Sequence, residues 1–366
     1  MFTRDNWRNF DFWLFGSVII LSIFGIAMIR SAIAGNSELS GLVLRQIIYI
    51  SIGLVVIILT ALVDYHYWSS ITRLMYIGTF LLLFVVFVVG KTTFGSNRWI
   101  SAGIVNIQPS EIGKVVLILV LADYFSRTRD RKKDIRWVIT SLLILGGLVT
   151  WILLQPNLST SIVMFVIWFS LIWISGLPPK FIIAFIIIGG LLAILAFPLL
   201  ENYQKLRIIN FIVPEENARY GNSYNIEQAL ITIGSGGLLG QGYGHGSQVQ
   251  LRFLKVRHTD YIFSAMAEEF GFVGTVLVVA LLIFVMIRCI RAGKNASDPF
   301  GSLIAYSFGI LIFFQTAVNI GVNLKVVPVT GLTLPFVSYG GSSLLSMILG
   351  IGLVESVLVR QKNLEF

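Results

Sequence analysis

Long apolar runs separated by short polar segments dominate the chain. A helix needs roughly 17 to 25 apolar residues to cross the hydrocarbon core of a bilayer. Runs near this length recur from end to end and predict an all-α polytopic membrane protein with about ten transmembrane helices. We expect the eighth run to be split or tilted because of its length. The runs are Phe12–Ile29, Ile47–Val63, Leu74–Val89, Ile112–Phe125, Trp137–Leu154, Ser161–Ile174, Phe181–Leu199, Ile262–Ile287, Leu303–Val322 and Ser342–Leu358.

Basic residues concentrate in every second gap between these runs. Such residues favour the cytoplasmic side, which predicts that both termini are cytoplasmic, as an even number of spans requires. Arg4 and Arg8 precede the first run without a small-residue cleavage site, so we interpret that run as a retained span and not a signal peptide. The basic residues assigned to the cytoplasm are Arg73, Arg127, Arg129, Arg131, Lys132, Lys133, Arg136, Lys180, Arg288, Arg291, Lys294, Arg360 and Lys362.

The same topology places four segments outside the membrane: residues 31–46, 90–110, 201–261 and 325–341. The third, between helices 7 and 8, is far longer than a connector needs and still contains apolar stretches. We expect it to fold against the membrane. The sequence shows no internal repeat and no inverted pair of broken helices, so we interpret residues 1–366 as a single transmembrane domain with one large extracytoplasmic loop at 200–261.

Composition supports this interpretation. Hydrophobic residues make up 56% of the chain and charged residues 12%, whereas a soluble domain carries roughly a quarter charged residues. The net charge of +9 follows from topology, so we expect no nucleic-acid partner. The single cysteine, Cys289, excludes an internal disulfide, and the three histidines lack metal-ligand spacing.

Ionisable residues at the edge of a bilayer are candidates for function. Glu111 and Lys114 follow Pro109, a favourable helix-start residue, and their spacing places them on one face of the fourth helix. They form either a neutralised ion pair that tolerates burial or the charged wall of an outward cavity. Arg98 and Trp99 are either an interfacial anchor or a ligand contact.

A glycine-rich segment, residues 234–246, leads to Arg257, His258, Thr259 and Asp260 just before the eighth span. Position alone favours Asp260 as a helix N-cap, and the alternative is a general base. Glu268, about two turns further on, falls near the same face of the helix.

The segment at 319–343 is rich in proline and glycine, which predicts an irregular loop that lines a cavity or is covered by protein. Its hydroxyls suit a polar ligand such as a sugar. They belong to Thr330, Thr333, Ser338, Tyr339, Ser342 and Ser343.

Several motifs occur in an order that resembles the SEDS family (RodA, FtsW and SpoVE), over essentially the whole chain. YQKLRIINFIVP and the absence of long cytoplasmic tails make the chain most similar to the RodA branch, which serves elongation and cell shape. The motifs are GSNRWIS, QPSEIGK, QPNLSTS, YQKLRI, GSGGLLGQG, RHTDYIFS, EEFGFVG and PVTGLTLPFVSYGGSS.

The resemblance implies a peptidoglycan glycosyltransferase that polymerises lipid II into β-1,4-linked strands at the outer face of the bacterial cytoplasmic membrane. A class B penicillin-binding protein is the implied transpeptidase partner. Asp260 matches the essential aspartate of the family, and Glu111 and Lys114 match its charged pair. We add a divalent cation such as Mg²⁺ as a candidate cofactor and grooves between helices for the polyprenyl tails. The candidate substrate-binding residues are Arg98, Trp99, Arg207, Arg257, Ser338, Tyr339, Ser342 and Ser343.

Three departures from the family pattern stand out. Asn157 and Ser159 replace the residues of a common QPDLGT motif, Leu254-Lys255-Val256 stands in place of Leu-Pro-Glu, and Lys325 replaces a common glycine. A lipid II flippase is the main alternative function, and a non-catalytic scaffold of the wall-synthesis complex is the second. A generic ion-coupled transporter is the third, which the missing repeat disfavours.

Overall fold

The structure is a computed structural model that describes residues 9–89, 91–93, 96–102, 105–131, 133–213 and 222–361. Most of this chain is helical, and single 3-10 turns occur at Ser37–Leu39 and Phe197–Leu199. The helices of the described part are α1 (Phe12–Ala32), α2 (Gly41–Leu62), α3 (Tyr65–Val89), α4 (Pro109–Arg127), α5 (Ile135–Leu154), α6 (Leu158–Ile174), α7 (Pro179–Ala196), α8 (Asn202–Ile212), α9 (Asn222–Gly236), α10 (Ser247–Gln250), α11 (Ile262–Asn295), α12 (Pro299–Asn323) and α13 (Gly341–Val359).

Seven of the helices in the described ranges are long and apolar enough to cross a membrane, namely α1, α2, α3, α5, α11, α12 and α13. This confirms the predicted polytopic helical membrane protein. The other three predicted spans correspond to α4, α6 and α7. Of these, α6 has only 17 residues, and α4 carries Glu111, Lys114, Asp123 and Arg127.

A small antiparallel sheet departs from the all-α prediction. It consists of β1 (Lys91–Thr93), β2 (Ser96–Ala102) and β3 (Val105–Ile107) in the order β1-β2-β3. This stretch was expected only to be an outside loop, although its β-branched and aromatic residues favour strands. β2 lies beside α3 and α4, and β3 lies beside α13, so the sheet covers the end of the bundle where α4 begins.

Helix α4 lies in the interior of the bundle, packed against α3, α5, α6, α12 and α13. Glu111 and Lys114 are accordingly only 7% and 1% exposed. Because neighbouring helices and not lipid surround α4, it can carry charged side chains at membrane depth. This explains why α4 is less apolar than the other predicted spans.

The two ends of the described chain meet at one end of the bundle. The Asp11 amide, just before α1, donates to the Glu355 carboxylate of α13 at 3.0 Å. The Asp11 carboxylate pairs with Arg288 of α11. At the opposite end the Gln108 amide, just before α4, donates to Ser342 Oγ at 2.9 Å. Chain ends on the same side agree with an even number of crossings.

Helix α11 is broken at Gly271, whose φ of +66° lies in the left-handed region. This confirms that the eighth predicted run is not one straight helix. The break frees backbone groups that the bilayer could not satisfy, and the glycine-rich loop after α9 supplies their partners. The four hydrogen bonds are Gln241 N to Glu268 O (2.9 Å), Gly242 N to Glu269 O (2.9 Å), Phe272 N to Gly237 O (2.9 Å) and Val273 N to Leu238 O (3.1 Å).

The long segment between α7 and α11 is folded in its described part. It contains α8, α9 and α10, and α9 packs along α11 and contacts α12. A buried cluster that includes Ile226, Leu254 and Tyr261 fixes this segment next to α12. The predicted large loop is therefore a helical layer on the end of the bundle opposite to Asp11.

Candidate active site

Asp260 lies two residues before α11, and its backbone is held by two asparagines of α12. The Asp260 carbonyl accepts a hydrogen bond from Asn319 Nδ2 at 3.1 Å and from Asn323 Nδ2 at 2.9 Å. Asn323 Oδ1 also accepts from the amide and hydroxyl of Ser264, at 3.1 and 2.6 Å. Both asparagines are buried. Neither asparagine is among the candidate residues from the sequence, although their spacing of four residues places them on one face of α12.

The Asp260 side chain does not cap α11. The N-cap residue is Tyr261, and no side chain there accepts from the first turn of the helix. The N-cap interpretation of Asp260 is therefore wrong, because α11 begins one residue later than that interpretation requires. The carboxylate instead lies next to Gly331, where an added β-carbon would be 3.8 Å from Asp260 Oδ2.

Burial raises the pKa of Asp260 to about 6, while the positive charge of Arg207 and the hydroxyl of Thr259 partly oppose this rise. A carboxylate with such a pKa is mostly ionised at neutral pH and is a stronger base than an exposed aspartate. Arg207 comes from α8, and its Nη1 also donates to the Val329 carbonyl at 3.4 Å. Asp260 therefore has the protonation behaviour of a general base beside a cation.

The loop between α12 and α13 holds the chain that leads to Asp260. Ser338 Oγ donates to the Thr259 carbonyl at 2.8 Å and accepts from the Leu334 amide at 2.9 Å. The Tyr339 amide donates to the His258 carbonyl at 2.9 Å. This confirms an irregular loop covered by protein. The Ser338 hydroxyl and the Tyr339 amide form hydrogen bonds within the chain. Contacts of these two residues with a ligand remain a prediction.

Glu111 and Lys114 form the predicted pair, with Lys114 Nζ 2.7 Å from Glu111 Oε2. Pro109 lies in the first turn of α4, which confirms it as a helix-start residue. Ser346 of α13 donates its hydroxyl to Glu111 Oε2 at 3.1 Å. The hydrogen bond from Ser346 partly offsets the cost of removing the Glu111 carboxylate from water.

The start of α13 connects this pair to the loop beside Asp260. Ser342 Oγ accepts from the Gln108 amide at the start of α4. Ser343 Oγ lies 2.9 Å from Thr333 Oγ1, two residues after Gly331. The pair and Asp260 therefore lie at the same end of the bundle, on opposite flanks of one loop. That they face one cavity remains a prediction.

The remaining predicted ligand residues divide into two groups. Arg257 is buried, and its guanidinium donates to the carbonyls of Ala32, at the end of α1, and Leu254, so its present contacts stabilise the fold. Arg98 and Trp99 lie on β2, with Trp99 opposite Lys91. The positions of their side chains fall outside the described part of the structure, and both remain predictions.

Glu268 serves the fold of the glycine-rich segment. Its carboxylate accepts from the Gln248 amide at 2.8 Å and from the Val249 amide at 3.1 Å, which are backbone donors of the short helix α10. Glu269 contacts the Ser31 hydroxyl of α1. The carboxylate of Glu268 is thus held by backbone amides of α10. None of these hydrogen bonds links Glu268 to Asp260.

Asn157 and Ser159, which depart from the family pattern, both form hydrogen bonds within the fold. Asn157 is the N-cap of α6, where its Oδ1 accepts from the Thr160 amide at 3.3 Å. Asparagine and aspartate are equally good in this position, so the local structure does not need the acid. Ser159 Oγ donates to the Thr330 carbonyl at 2.5 Å and ties α6 to the loop beside Asp260.

A cation held by protein ligands alone does not fit the described residues, since no group of three His, Cys, Asp or Glu side chains converges there. Mg²⁺ commonly uses one or two carboxylates together with substrate phosphates, and Asp260 could supply one of these ligands. The divalent cation remains a prediction.

An apolar groove of about 570 Å³ runs between α9 and the broken helix α11. Phe263, three residues after Asp260, contributes to its wall, so the groove begins close to the candidate base. Its other walls come from side chains such as Ile233, Phe272, Val276 and Ile283. The shape and polarity suit a hydrocarbon chain.

The family model of the cell cycle proteins FtsW, RodA and SpoVE matches residues 11–363. The chain is 33% identical to the probable peptidoglycan glycosyltransferase FtsW of Aliivibrio salmonicida, over 97% of this chain and 90% of that protein. It is 34% identical to the peptidoglycan glycosyltransferase MrdB of Escherichia coli K12, over 95% and 93%.

Solved structures give the same result. A chain from a structure of a peptidoglycan synthase complex that concerns the structural coordination of polymerization and crosslinking superposes with a TM-score of 0.83 at 28% identity. The match covers 97% of this chain and 99% of that chain. The rod shape determining protein RodA of Thermus thermophilus superposes with a TM-score of 0.72 at 29% identity, over 96% and 98%.

Proposed function

Because this chain belongs to the SEDS family of FtsW, RodA and SpoVE, we propose that it polymerises lipid II into β-1,4-linked glycan strands at the outer face of the bacterial cytoplasmic membrane. The observation that carries the proposal is Asp260, a carboxylate with a pKa of about 6 beside Arg207. Its backbone is fixed by Asn319 and Asn323. These groups supply a positioned base at the end of the bundle that we assign to the outside.

We propose a single domain over residues 1–366 with ten spans, α1 to α7 and α11 to α13, and with both termini in the cytoplasm. The meeting of Asp11 with Glu355 at one end of the bundle supports an even number of spans, with both ends of the described chain on the same side. The arginine-rich connection between α4 and α5 lies at that same end, where Arg127 contacts the start of α3 at Ser69. The segment at 200–261 is then extracytoplasmic.

In the proposed reaction, Asp260 accepts the proton of an acceptor sugar hydroxyl while the hydroxyl oxygen bonds to the anomeric carbon of the donor sugar. The bond from that carbon to the lipid pyrophosphate breaks, and the leaving group takes the electron pair. A single displacement inverts an α-linked donor into a β-linked product. Cations stabilise the charge that develops on the pyrophosphate. Arg207 is the cation beside Asp260, and Lys114, Arg98 and Arg257 are further candidates.

We assign the apolar groove between α9 and α11 to a polyprenyl tail of the substrate. A tail in this groove would pass Phe263 and place its pyrophosphate near Asp260. Glu111 and Lys114 would then bound the polar part of the site from the other flank of the α12–α13 loop. Ser342 and Ser343 lie between the two flanks and are candidates for contacts to the sugar.

We propose a class B penicillin-binding protein as the partner and the elongation branch as the cellular role. The similarity to a chain of a peptidoglycan synthase complex supports a partner. The segment YQKLRI supports the branch, while relatives with the names FtsW and MrdB are similarly close in sequence. Depletion strains of each branch separate the roles: the chain should restore rod shape in the elongation mutant and leave division filaments uncorrected.

The flippase alternative needs a polar path through the membrane. Helix α12 carries the buried polar residues Gln315, Asn319 and Asn323 on one face. Gln315 lies eight residues from the outer end of α12, or about 12 Å at 1.5 Å per residue. This stripe therefore covers the outer half of a core that is about 30 Å thick, which supports an outward site over a through path.

The decisive experiment measures glycan polymer from purified lipid II, with the protein alone and with its partner inactivated for its own chemistry. We expect Asp260→Ala and Asp260→Asn to abolish polymer while folding and partner binding persist. Glu38→Gln is the matched control, because it removes an exposed carboxylate on the same side. If the wild-type protein moves lipid II across vesicle membranes but forms no polymer, the flippase alternative is supported. If it shows neither activity, the scaffold alternative is supported.

A further inference from the structure

A polar cavity of about 390 Å³ lies at the end of the bundle that we assign to the cytoplasm. The end of α4, the end of α6, the end of α11 and the start of α12 enclose it. Arg129, Lys294 and Asp298 are its charged residues, and Ser302 and Tyr306 contribute hydroxyls. It is far from Asp260, and the proposed glycosyl transfer does not use it.

The two basic side chains of this cavity have no ion-pair partner among the residues that the structure describes. Asp298 keeps its negative charge and offsets one of the two cations, but its carboxylate is held by other groups, among them His66 Nε2 at 3.4 Å from Oδ2. Its Oδ1 caps α12 by accepting from the amides of Phe300 and Gly301 at 2.9 and 3.1 Å, and Oδ2 accepts from Tyr65. The cavity therefore presents excess positive charge.

The hydroxyls of Ser302 and Tyr306 add two donors on one face of α12, four residues apart. Within the described ranges neither hydroxyl forms a hydrogen bond to another residue. Gly293 of α11 makes room for the Tyr306 ring, since a β-carbon there would lie 2.9 Å from the ring. The phenol is thus held against the cavity wall beside Lys294.

Apolar side chains also line the cavity, namely Phe125 of α4, Ile174 of α6 and Leu303 of α12. A free phosphate ion would use only the basic and hydroxyl groups. A phospholipid would use both kinds of group, with its phosphate on the cations and the first part of its acyl chains against Ile174, which is 39% exposed. Basic pockets between helix ends on the cytoplasmic side commonly bind anionic lipid headgroups.

We propose that this cavity is a binding site for one anionic phospholipid of the cytoplasmic leaflet. Arg129 and Lys294 contact its phosphate, and Ser302 and Tyr306 donate hydrogen bonds to the phosphate oxygens. The ligand is a membrane lipid and not a soluble molecule, because polar and apolar side chains both line the cavity and it lies at the end of the bundle that we assign to the cytoplasmic headgroups. Bound lipid would join α4, α6, α11 and α12 at the end opposite to the candidate active site.

Mass spectrometry of the intact full chain in detergent, titrated with phosphatidylglycerol, tests the proposal. We expect one tightly bound lipid for wild type. The double variant Arg129→Gln/Lys294→Gln should bind it roughly 30-fold more weakly, because each basic residue near a headgroup contributes roughly a fivefold factor. Ser302→Ala/Tyr306→Phe should weaken binding by about fivefold through the lost hydrogen bonds. Phosphatidylcholine should not compete.

The control variant Arg73→Gln/Arg291→Gln removes the same charge from exposed positions outside the cavity and should bind as wild type does. Unfolding temperatures measured without added lipid establish that each variant is folded. Equal binding by the cavity variant and wild type would overturn the proposal. Displacement of the lipid by millimolar inorganic phosphate would overturn the lipid assignment in favour of a soluble phosphate.

Discussion

Asn323 of α12 donates its side-chain amide to the Asp260 carbonyl at 2.9 Å, while its amide oxygen accepts from Ser264 inside α11. One buried side chain thus joins the last loop residues to the first turn of the next helix. We interpret Asn323 as a positioning residue, because it contacts the backbone and not the carboxylate of Asp260.

We expect Asn323→Asp to lower the kcat of polymer formation about tenfold, with a smaller change in KM. Aspartate keeps an acceptor for Ser264 but has no amide to donate to the Asp260 carbonyl, so the carboxylate loses its fixed position. Steady-state rates with purified lipid II measure the effect. An unchanged kcat in a folded variant would contradict the positioning role.

The second prediction concerns pH. Since the pKa of Asp260 is raised to about 6, the fraction of ionised base, and with it the rate, should fall as the pH drops below about 6. Arg207 lowers this pKa. Replacing Arg207 with Gln should therefore move the acid limb of the rate profile to higher pH, in addition to weakening pyrophosphate binding.

Initial rates between about pH 5 and 8 measure this shift. Lys205→Gln is the matched control, because Lys205 lies on the same helix and its Nζ donates to the Pro198 carbonyl. A profile of Arg207→Gln that is lower at every pH but has the same midpoint would show that Arg207 does not act on the base.

The third prediction separates the two interpretations of Glu111 and Lys114. Removal of one partner of a buried pair leaves an uncompensated charge and costs about 3 to 5 kcal/mol. We expect Glu111→Gln and Lys114→Met each to lower the unfolding temperature strongly, and the double variant to recover most of the loss. Thermal unfolding in detergent measures all three.

Activity then distinguishes the roles. A double variant that is stable but inactive would identify the pair as part of the site, as the charged-wall interpretation requires. A double variant that is stable and active would reduce the pair to a tolerated structural element.

Local sequence features predicted much of the fold. The spans, the start of α4 at Pro109 and the pairing of Glu111 with Lys114 depend on residues a few positions apart, and helical periodicity is enough to infer them. The partners of Asp260 depend on contacts between residues about sixty positions apart in the chain, such as Asn323 with Asp260. No local pattern predicts such pairs, and for the same reason the contact of Arg257 with Ala32 was not foreseen.

Lys325 occupies the left-handed position at the C-terminal end of α12, where the family commonly has glycine. It follows the last residues of α12 with a φ of +56°. The Val326 amide donates to the Gly321 carbonyl at 2.7 Å, and the Lys325 amide donates to Val322 at 3.2 Å. This pair of bonds defines a helix end at which the left-handed residue is usually glycine. The family's common glycine at this position therefore has a conformational reason, and lysine adopts the same geometry at some cost.

The fourth prediction concerns the break in α11. At Gly271 the φ of +66° and ψ of −166° fall in a region that essentially only glycine adopts, and this conformation alone would cost an alanine about 1 to 3 kcal/mol. Its β-carbon would also overlap the Gly240 amide and the Leu238 carbonyl, which belong to the loop that satisfies the broken helix. We therefore expect Gly271→Ala to lower the unfolding temperature strongly and to reduce polymer formation, because α9 and the wall of the apolar groove would move together.

Gly16→Ala is the matched control for this prediction. Gly16 lies inside α1, and a β-carbon there would meet no atom within 4 Å. Alanine is favoured over glycine in a helix by up to about 1 kcal/mol, so this variant should be neutral or slightly more stable. If Gly271→Ala unfolded at the same temperature as Gly16→Ala, α11 could run straight through this position. The glycine-rich loop would then not be needed to complete the helix, and the groove beside Asp260 would lose its structural basis.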